Sequence, residues 1–203
     1  MTIGTILPDI VAACGLVIDD VSVSNNEPHM RQIVSMMNQA GQDIVKRAEW
    51  SQGYRTVELD ANLEEVSLPT NYYKMAETGA VFLLDGGGFV PVRLVSTPST
   101  FEFAKQNESA QNFAHIANQK LYFWPGTGQL GAKFVYVTRG WIQGDGTKEF
   151  VTSDDDQPIF PESLLLSAVA WRWQRQNGLP YEDYVAEFEA NFVAAINADR
   201  GII

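Results

Sequence analysis

The spacing of the apolar residues changes twice along the chain, and this change constrains the fold more than any other feature. Apolar residues recur at helical spacing over roughly the first fifty residues, and they do so again after Pro161. Between Tyr54 and about Trp141 they alternate with polar residues, with the period of two that is typical of half-buried strands. The pattern therefore predicts an α+β fold with helices at both ends and antiparallel strands between them.

Four amphipathic helices are predicted at the two ends of the chain. The first covers Leu7–Ile18, and the second covers Pro28–Trp50, where Pro28 fits the first helical position because its missing N–H needs no partner there. The third, Pro161–Asn177, is apolar almost all round, so we expect it to be the most buried element. Gly178-Leu-Pro180 separates it from the fourth helix. The apolar stripe of the fourth helix comprises Tyr181, Tyr184, Val185, Phe188, Phe192, Ala195 and Ile196.

Seven segments of the middle region have the alternation or composition of strands. Asp85-Gly-Gly-Gly88 lies between two of them, and glycines supply the positive φ angles of a tight hairpin turn. Pro91 cannot donate a ladder hydrogen bond, so we expect its strand at a sheet edge. Asn71–Ala76 is expected to form a short helical turn, and Thr97–Glu108 a loop with room for one helical turn. The predicted strands are Tyr54–Leu59, Glu65–Leu68, Val81–Leu84, Phe89–Val95, Asn112–Ala117, Lys120–Trp124 and Ala132–Thr138.

These elements predict two domains. An amphipathic helix cannot bury its apolar stripe alone, and the simplest solution packs all four terminal helices together. We therefore predict a helical bundle domain formed by residues 1–53 and 157–203. Residues 54–156 are predicted to form an inserted antiparallel β-domain that projects from the bundle.

The charge and the cysteine content exclude several classes of function. The net charge is −11, from 25 acidic and 14 basic residues. Phosphate binding requires clustered Lys and Arg, so specific nucleic-acid binding is not expected, whereas a repulsive wall past which DNA slides is compatible with this charge. Cys14 is the only cysteine, which suits a protein made in a reducing cytoplasm. Neither a secretion signal nor an apolar run long enough to span a membrane is recognisable, so a membrane is not an expected partner.

The residues that usually carry chemistry are few and scattered. His29 and His115 lie in no metal-ligand motif, and Cys14 has no neighbouring His in the sequence that would activate it. Asp154-Asp-Asp156 could bind a hard cation, and this loop is the best support for an enzyme, but consecutive acids rarely converge on one ion. We therefore predict no catalytic residue, no metal site and no cofactor.

Two further motifs suggest ligand binding. Gly126-Thr-Gly128-Gln-Leu-Gly131 has the spacing of a dinucleotide-binding loop, but a strand follows where that loop requires a helix, so we predict a turn. Tyr122, Trp124 and Trp141 could form a stacking platform for a carbohydrate. A carbohydrate- or ligand-binding β module therefore stays open as an alternative function, with core or interface packing as the competing explanation of these aromatics.

Three stretches, in their order along the chain, resemble a known family. The first is Val66–Met75, a strand that ends in Leu-Pro and is followed by an aromatic turn. The second is Lys120–Gly126 with Gly131–Thr138, and the third runs from Asp156-Gln-Pro-Ile-Phe-Pro-Glu-Ser-Leu164 to Arg200. Together with the N-terminal helix pair, they resemble the head-to-tail adaptors of tailed bacteriophages, also called head-completion or tail tubular protein A-like proteins. The resemblance spans most of the chain.

The resemblance implies a non-catalytic structural protein of the virion, made in the host cytoplasm and located at the head–tail junction. It implies a homo-oligomeric ring, typically of twelve copies, between the portal and the tail, with DNA passing through the lumen. The helical and C-terminal parts would contact the portal protein, and the β-domain would contact the tail or tail-tube protein or the next adaptor. A tail-end or stopper protein is the alternative within the same structural class.

The resemblance also assigns candidate contact residues in both domains. The portal-interface candidates are Tyr181, Tyr184, Phe188, Arg200, Ile202 and Ile203. The candidates for contact with the tail or a neighbouring subunit are Asp85, Gly86, Gly87, Phe101 and Phe103. An exposed apolar end such as Ile202-Ile203 is unfavourable in water unless a partner covers it, which agrees with the assignment.

Overall fold

A computed structural model of the chain describes residues 2–77, 81–86, 88–107, 111–144 and 147–201. The chain divides into two compact units. The helical unit comprises Met1–Gly53 and Arg139–Ile203, and the strand unit is the continuous segment Tyr54–Thr138. Helices and mainly antiparallel sheet together confirm the α+β class. A single helical bundle from which the strand unit projects stays a prediction.

Four of the five described helices belong to the helical unit. They are α1 (Ile3–Ala13), α2 (Pro28–Arg47), α4 (Glu162–Gln176) and α5 (Glu182–Asp199), whereas α3 (Pro98–Asn107) belongs to the strand unit. α4 packs against α1, α2 and α5. Its residues Leu164, Leu165, Ala168 and Val169 are buried, as an almost uniformly apolar sequence predicts.

One hydrophobic cluster joins the four helices of the helical unit. It includes Leu7 of α1, Ile33 of α2, Leu165 of α4 and Phe192 of α5, all of them buried. Burial of each such side chain stabilises the fold by about 1.5–3 kcal/mol relative to exposure. The cluster therefore explains why the two ends of the chain belong to one compact unit.

α1 ends earlier than the apolar spacing predicts. The stripe was expected to continue to Ile18, but the helix ends at Ala13 and Val17 is 97% exposed. Gly15 adopts a φ of +70°, and the N–H of Leu16 donates to the carbonyl of Val11. This is the hydrogen-bond pattern of a helix terminated by a left-handed glycine. The backbone at Gly15 therefore overrides the apolar period.

Residues 139–156 lie in the helical unit, and not with the strands where the sequence pattern placed them. Trp141 and Ile142 are fully buried in the hydrophobic cluster of the helices. The Trp141 ring stacks on Phe160 with centroids 5.8 Å apart, and its Nε1–H donates to the carbonyl of Glu149 at 2.8 Å. The boundary between the two units differs from the predicted one because the apolar side chains of this segment pack against the helices.

The described residues of the strand unit form two sheets. In the first, β9 pairs with β1, β3 and β4, and β5 pairs with β4; the second has the order β2-β8-β7-β6. The predicted pair β7–β8 and the predicted strand β9 are confirmed. The strands are β1 (Tyr54–Leu59), β2 (Glu65–Ser67), β3 (Tyr72–Met75), β4 (Val81–Asp85), β5 (Gly88–Pro91), β6 (Arg93–Val95), β7 (Phe113–Ala117), β8 (Lys120–Trp124) and β9 (Ala132–Thr138).

Four local predictions in the strand unit are wrong. The predicted strand Phe89–Val95 is divided into β5 and β6, which belong to different sheets. Residues 72–75 form strand β3 and not a helical turn, because Tyr72 and Met75 pack on the hydrophobic cluster beside β9. Residues 98–107 form the ten-residue helix α3, because Phe101 and Ala104 lie on one helical face and bury against Phe113. β6 and β7 are parallel, and α3 is the crossover that a parallel pair requires.

The predicted hairpin is confirmed as β4 and β5, with Leu83 opposite Val90. Pro91 lies on β5, which is the edge strand of its sheet, as predicted. The N–H of Val92 donates to the carbonyl of Val81 at 2.9 Å. Hydrogen-bonded positions therefore alternate through Val90 and Val92, and the missing N–H of Pro91 faces away from β4.

Candidate interaction surfaces

α5 is held on the helical unit by apolar contacts and by charged side chains. The Arg47 guanidinium lies 4.2 Å from the centroid of the Phe192 ring and donates to both oxygens of Glu189, at 3.0 and 2.6 Å. The Arg47 hydrogen bonds hold the pKa of Glu189 below its ordinary value. Near the end of the helix, Ser51 donates its N–H and its hydroxyl to the Asp199 carboxylate, at 2.8 and 2.7 Å. α5 therefore presents a well-fixed outer face.

The portal-interface candidates on α5 differ in accessibility. Tyr184 is 40% exposed, Arg200 is exposed and Tyr181 is half-buried. Phe188 is only 2% exposed and lies in the hydrophobic cluster, so a partner cannot reach its side chain. This corrects the prediction for Phe188. The remaining candidates, Ile202 and Ile203, lie outside the described residues.

The outward face of α5 carries apolar groups that sequence reasoning missed. Val193 is more than half exposed, and Ala186, Ala190 and Ala194 are exposed on the same helix. These positions recur every three or four residues, so they form a second stripe beside the buried one. The same spacing in the sequence could have indicated this second apolar stripe. α5 also carries five acidic residues and no Lys or Arg, so this face is negatively charged.

The hairpin of the strand unit exposes an aromatic ring beside the predicted contact residues. Asp85 and Gly86 are exposed at the turn, and Gly87 lies outside the described residues. Phe89 on β5 is more than half exposed, with the Nζ of Lys133 3.5 Å from its ring centroid. Sequence reasoning missed Phe89 because a strand pattern does not show whether another element covers its faces, and in the structure all four residues of β5 are exposed.

α3 carries one buried and one exposed phenylalanine. Phe101 is 5% exposed and stacks on the His115 ring at a centroid distance of 5.6 Å. The Nδ1–H of His115 donates to the carbonyl of Val95 at 2.9 Å. Phe101 is therefore a core residue, which corrects the prediction for it. Phe103 is 62% exposed and keeps its place among the contact candidates.

Comparison with known proteins identifies the family to which these surfaces belong. A family model described as SU10 adaptor protein matches residues 1–201. The chain belongs to this phage adaptor family. The match includes both units and confirms the resemblance to head-to-tail adaptors. No curated protein matches the chain.

The acidic loop of the adaptor is built into the fold. The Asp156 carboxylate accepts the N–H groups of Thr152 and Ser153, at 2.7 and 3.1 Å, and the Nζ of Lys148 at 2.9 Å. Asp154 accepts the N–H of Val23 at 2.8 Å. Within the described ranges, no group of three or more His, Cys, Asp or Glu side chains converges on a possible metal position. The loop that offered the best support for an enzyme therefore has a structural explanation.

The other reactive and aromatic side chains of the adaptor are also packed. Burial raises the pKa of the Cys14 thiol to about 12, so little of it is the reactive thiolate at neutral pH. Trp141 is fully buried in the helical unit, and Tyr122 and Trp124 pack against the cluster around Phe113. Trp141, with its ring fully buried, is not available to stack on a carbohydrate.

The glycine-rich segment was predicted to be a turn, and no membrane-spanning segment was expected. Gly126–Gly131 connects β8 to β9, as predicted for a turn, and a side chain at Gly131 would overlap the carbonyl of Leu59. Among the helices that the structure describes, none combines the length and the apolar character needed to cross a bilayer.

Proposed function

We propose that this adaptor is a ring subunit at the head–tail junction, located between the portal and the tail, with DNA passing through its lumen. Membership of the phage adaptor family over residues 1–201 is the observation that carries the proposal. Twelve copies are proposed from the family resemblance. The portal protein, the tail or tail-tube protein and further copies of the adaptor are its partners.

The charge of the chain supports a role as a DNA conduit. The helical unit contains 17 of the 25 acidic residues and 8 of the 14 basic ones. Repeated around a ring, such subunits give a negative potential that repels phosphates and lets DNA pass without adhesion. The proposal requires no catalytic group.

The exposed residues of each unit define the two sets of partner contacts. We assign Tyr181 and Tyr184, at the start of α5, and Arg200, at its end, to the portal. We assign the hairpin around Asp85 and Phe89, together with Phe103, to the tail or to a neighbouring adaptor. Aromatic and Arg side chains are the types that contribute most to protein interfaces, which favours these residues over the polar surface around them.

Assembly with the portal is the direct test of the proposal. The purified adaptor is mixed with the portal protein of the same phage, and the mixture is analysed by light scattering and electron microscopy. We expect one large complex with a ring of adaptor density on the portal. An adaptor that stays monomeric and ignores the portal would contradict the proposal. An adaptor that ignores the portal but binds the tail protein would instead be a tail-end or stopper protein.

Tyr184→Ser tests the portal contact. Loss of a well-packed interface tyrosine costs about 2 kcal/mol or more, so we expect the affinity for the portal to fall by at least about thirtyfold. Tyr73→Ser is the matched control, because Tyr73 is 39% exposed and lies in the strand unit, whereas Tyr184 is 40% exposed. Portal affinity is measured by titration. Equal losses in the two variants would remove Tyr184 from the portal interface.

A further inference from the structure

Two grooves flank Gln39 on the exposed side of α2. One has a volume of about 490 Å³ and is lined by residues that include Arg31 and Phe150. The other has a volume of about 330 Å³, lies against α4, and is lined by residues that include Trp171 and Arg175. No carboxylate lines either groove among the described residues, although acids outnumber bases by two to one in the helical unit. The α2 face is therefore a basic and partly apolar region of an acidic unit.

Three side chains on the α2 face are exposed: Phe150, Arg31 and Arg175. Phe150 is 55% exposed. Arg31 and Arg175 form no ion pair within the part of the chain that the structure describes. Arg175 also lies over the Tyr181 ring, 6.0 Å from its centroid. An exposed aromatic ring on the same face as guanidinium groups that form no ion pair is suited to a partner that is both acidic and apolar.

The outer face of α5 has the complementary chemistry. It carries the exposed side chains of Val193 and Ala190, with Asp183 and Glu187 closer to the start of the helix. Asp183 and Glu187 also form no ion pair with any described residue. The two faces therefore match in charge and in apolar character, and both belong to the helical unit.

We propose that the outer face of α5 in one copy docks on the α2 face of the next copy. The inference rests on the proposed ring and names the surfaces through which its subunits meet. A ring requires a heterologous contact, in which two different surfaces of the same subunit are complementary. The alanines of α5 permit close approach of the helices, and interaxial distances of about 8–10 Å are typical of packed pairs. Protein is favoured over DNA as the occupant because Phe150 and Trp171 offer apolar contacts that phosphates do not use.

Paired cysteine variants test the contact. Gln39 and Ala190 lie near the middle of α2 and α5, so they approach one another in the proposed contact. Cys14 is buried and unreactive, so a bismaleimide crosslinker reports the introduced thiols alone. Gln39→Cys protein and differently tagged Ala190→Cys protein are mixed with the portal and crosslinked. We expect the mixture of the two single variants to give a mixed dimer. A ladder of higher species is expected only from a chain that carries both substitutions.

The controls distinguish the surfaces from one another. Ala12→Cys is the matched control for Ala190→Cys, because Ala12 is an exposed alanine on α1, and we expect it to give no mixed dimer with Gln39→Cys. Self-crosslinking of Ala190→Cys alone would show an isologous contact and overturn the inference. A photo-crosslinker attached at Gln39→Cys is then analysed by mass spectrometry. Products with the portal, the tail protein or DNA in place of α5 would overturn it as well.

Failure of the inference and failure of the proposed function have different outcomes. A ring that forms on the portal without the mixed crosslink overturns the contact and leaves the proposed function intact. An adaptor that forms no ring and no portal complex overturns both.

Discussion

At the residue scale, the ionised Asp156 carboxylate stabilises the loop of residues 148–156 by accepting hydrogen bonds from it. Burial alone would raise its pKa, but the N–H groups of Thr152 and Ser153 and the ammonium of Lys148 stabilise the carboxylate and hold the pKa below the ordinary value of 3.8. A carboxyl group whose pKa is depressed in the folded state stabilises the fold above its unfolded pKa. That contribution is lost as the pH falls through the folded value. Acid therefore loosens the 148–156 loop, to which the N-terminus of α1 is tied through the carbonyls of Asp154 and Asp156.

Asp156→Asn tests this role. The amide keeps the shape, but when its oxygen accepts from the two backbone N–H groups its NH2 group faces the Lys148 ammonium, which loses this acceptor. We therefore expect a loss of about 1–3 kcal/mol in the free energy of unfolding at neutral pH. The difference from wild type is expected to shrink below about pH 4, as the wild-type carboxylate protonates. Urea denaturation at several pH values measures both effects. Asp155→Asn is the control, since Asp155 is exposed, and we expect a change within about 0.5 kcal/mol.

At the element scale, the sequence predicts those helices and strands whose apolar residues repeat with a clear period. α2, β9 and the β4–β5 hairpin were identified because apolar spacing and turn glycines agree over many residues. α3 was missed because its buried side consists only of Phe101 and Ala104, too few residues to establish a helical period. Phe188 and Phe101 were assigned as contact residues from the family resemblance, which indicates the segments that meet partners but does not show whether another element covers a given side chain. Tyr184, Arg200 and Phe103 are exposed because they lie at the margin of a stripe or beyond it.

Gly41→Ala tests how α2 accommodates the segment that follows the strand unit. Alanine normally favours a helix over glycine by roughly 0.5–1 kcal/mol. At Gly41 the added Cβ would overlap the Trp141 ring, which is fully buried. Overpacking of a core costs about 1–3 kcal/mol, so we expect net destabilisation, measured as a lower Tm. Ser35→Ala, on the exposed side of α2, is expected to leave the Tm unchanged or raise it. If Trp141→Phe in the Gly41→Ala background recovers part of the loss, the ring is the cause.

At the scale of the whole molecule, each unit has its own hydrophobic clusters. The cluster that contains Ile33 consists only of residues of the helical unit, and the cluster that contains Phe134 consists only of residues of the strand unit. The proposed contacts follow the same division: the portal contact and the contact between α5 and the α2 face are assigned to the helices, and contact with the tail or a neighbouring adaptor is assigned to the strands. A subunit built in this way can lose order in one partner-binding unit while the other remains folded.

Phe134→Ala and Ile33→Ala test this independence as a reciprocal pair. Both side chains are fully buried, and truncation of a buried Phe or Ile costs about 2–5 kcal/mol. Hydrogen exchange followed by mass spectrometry reads each unit separately. We expect Phe134→Ala to accelerate exchange mainly in β4, β8 and β9, because these strands surround the lost ring and share its cluster. Ile33→Ala is expected to accelerate exchange mainly in α1, α2 and α4. Exchange that rises equally in both units for either variant would show that the molecule unfolds as one cooperative body, and portal and tail binding would then be lost together when either core is weakened.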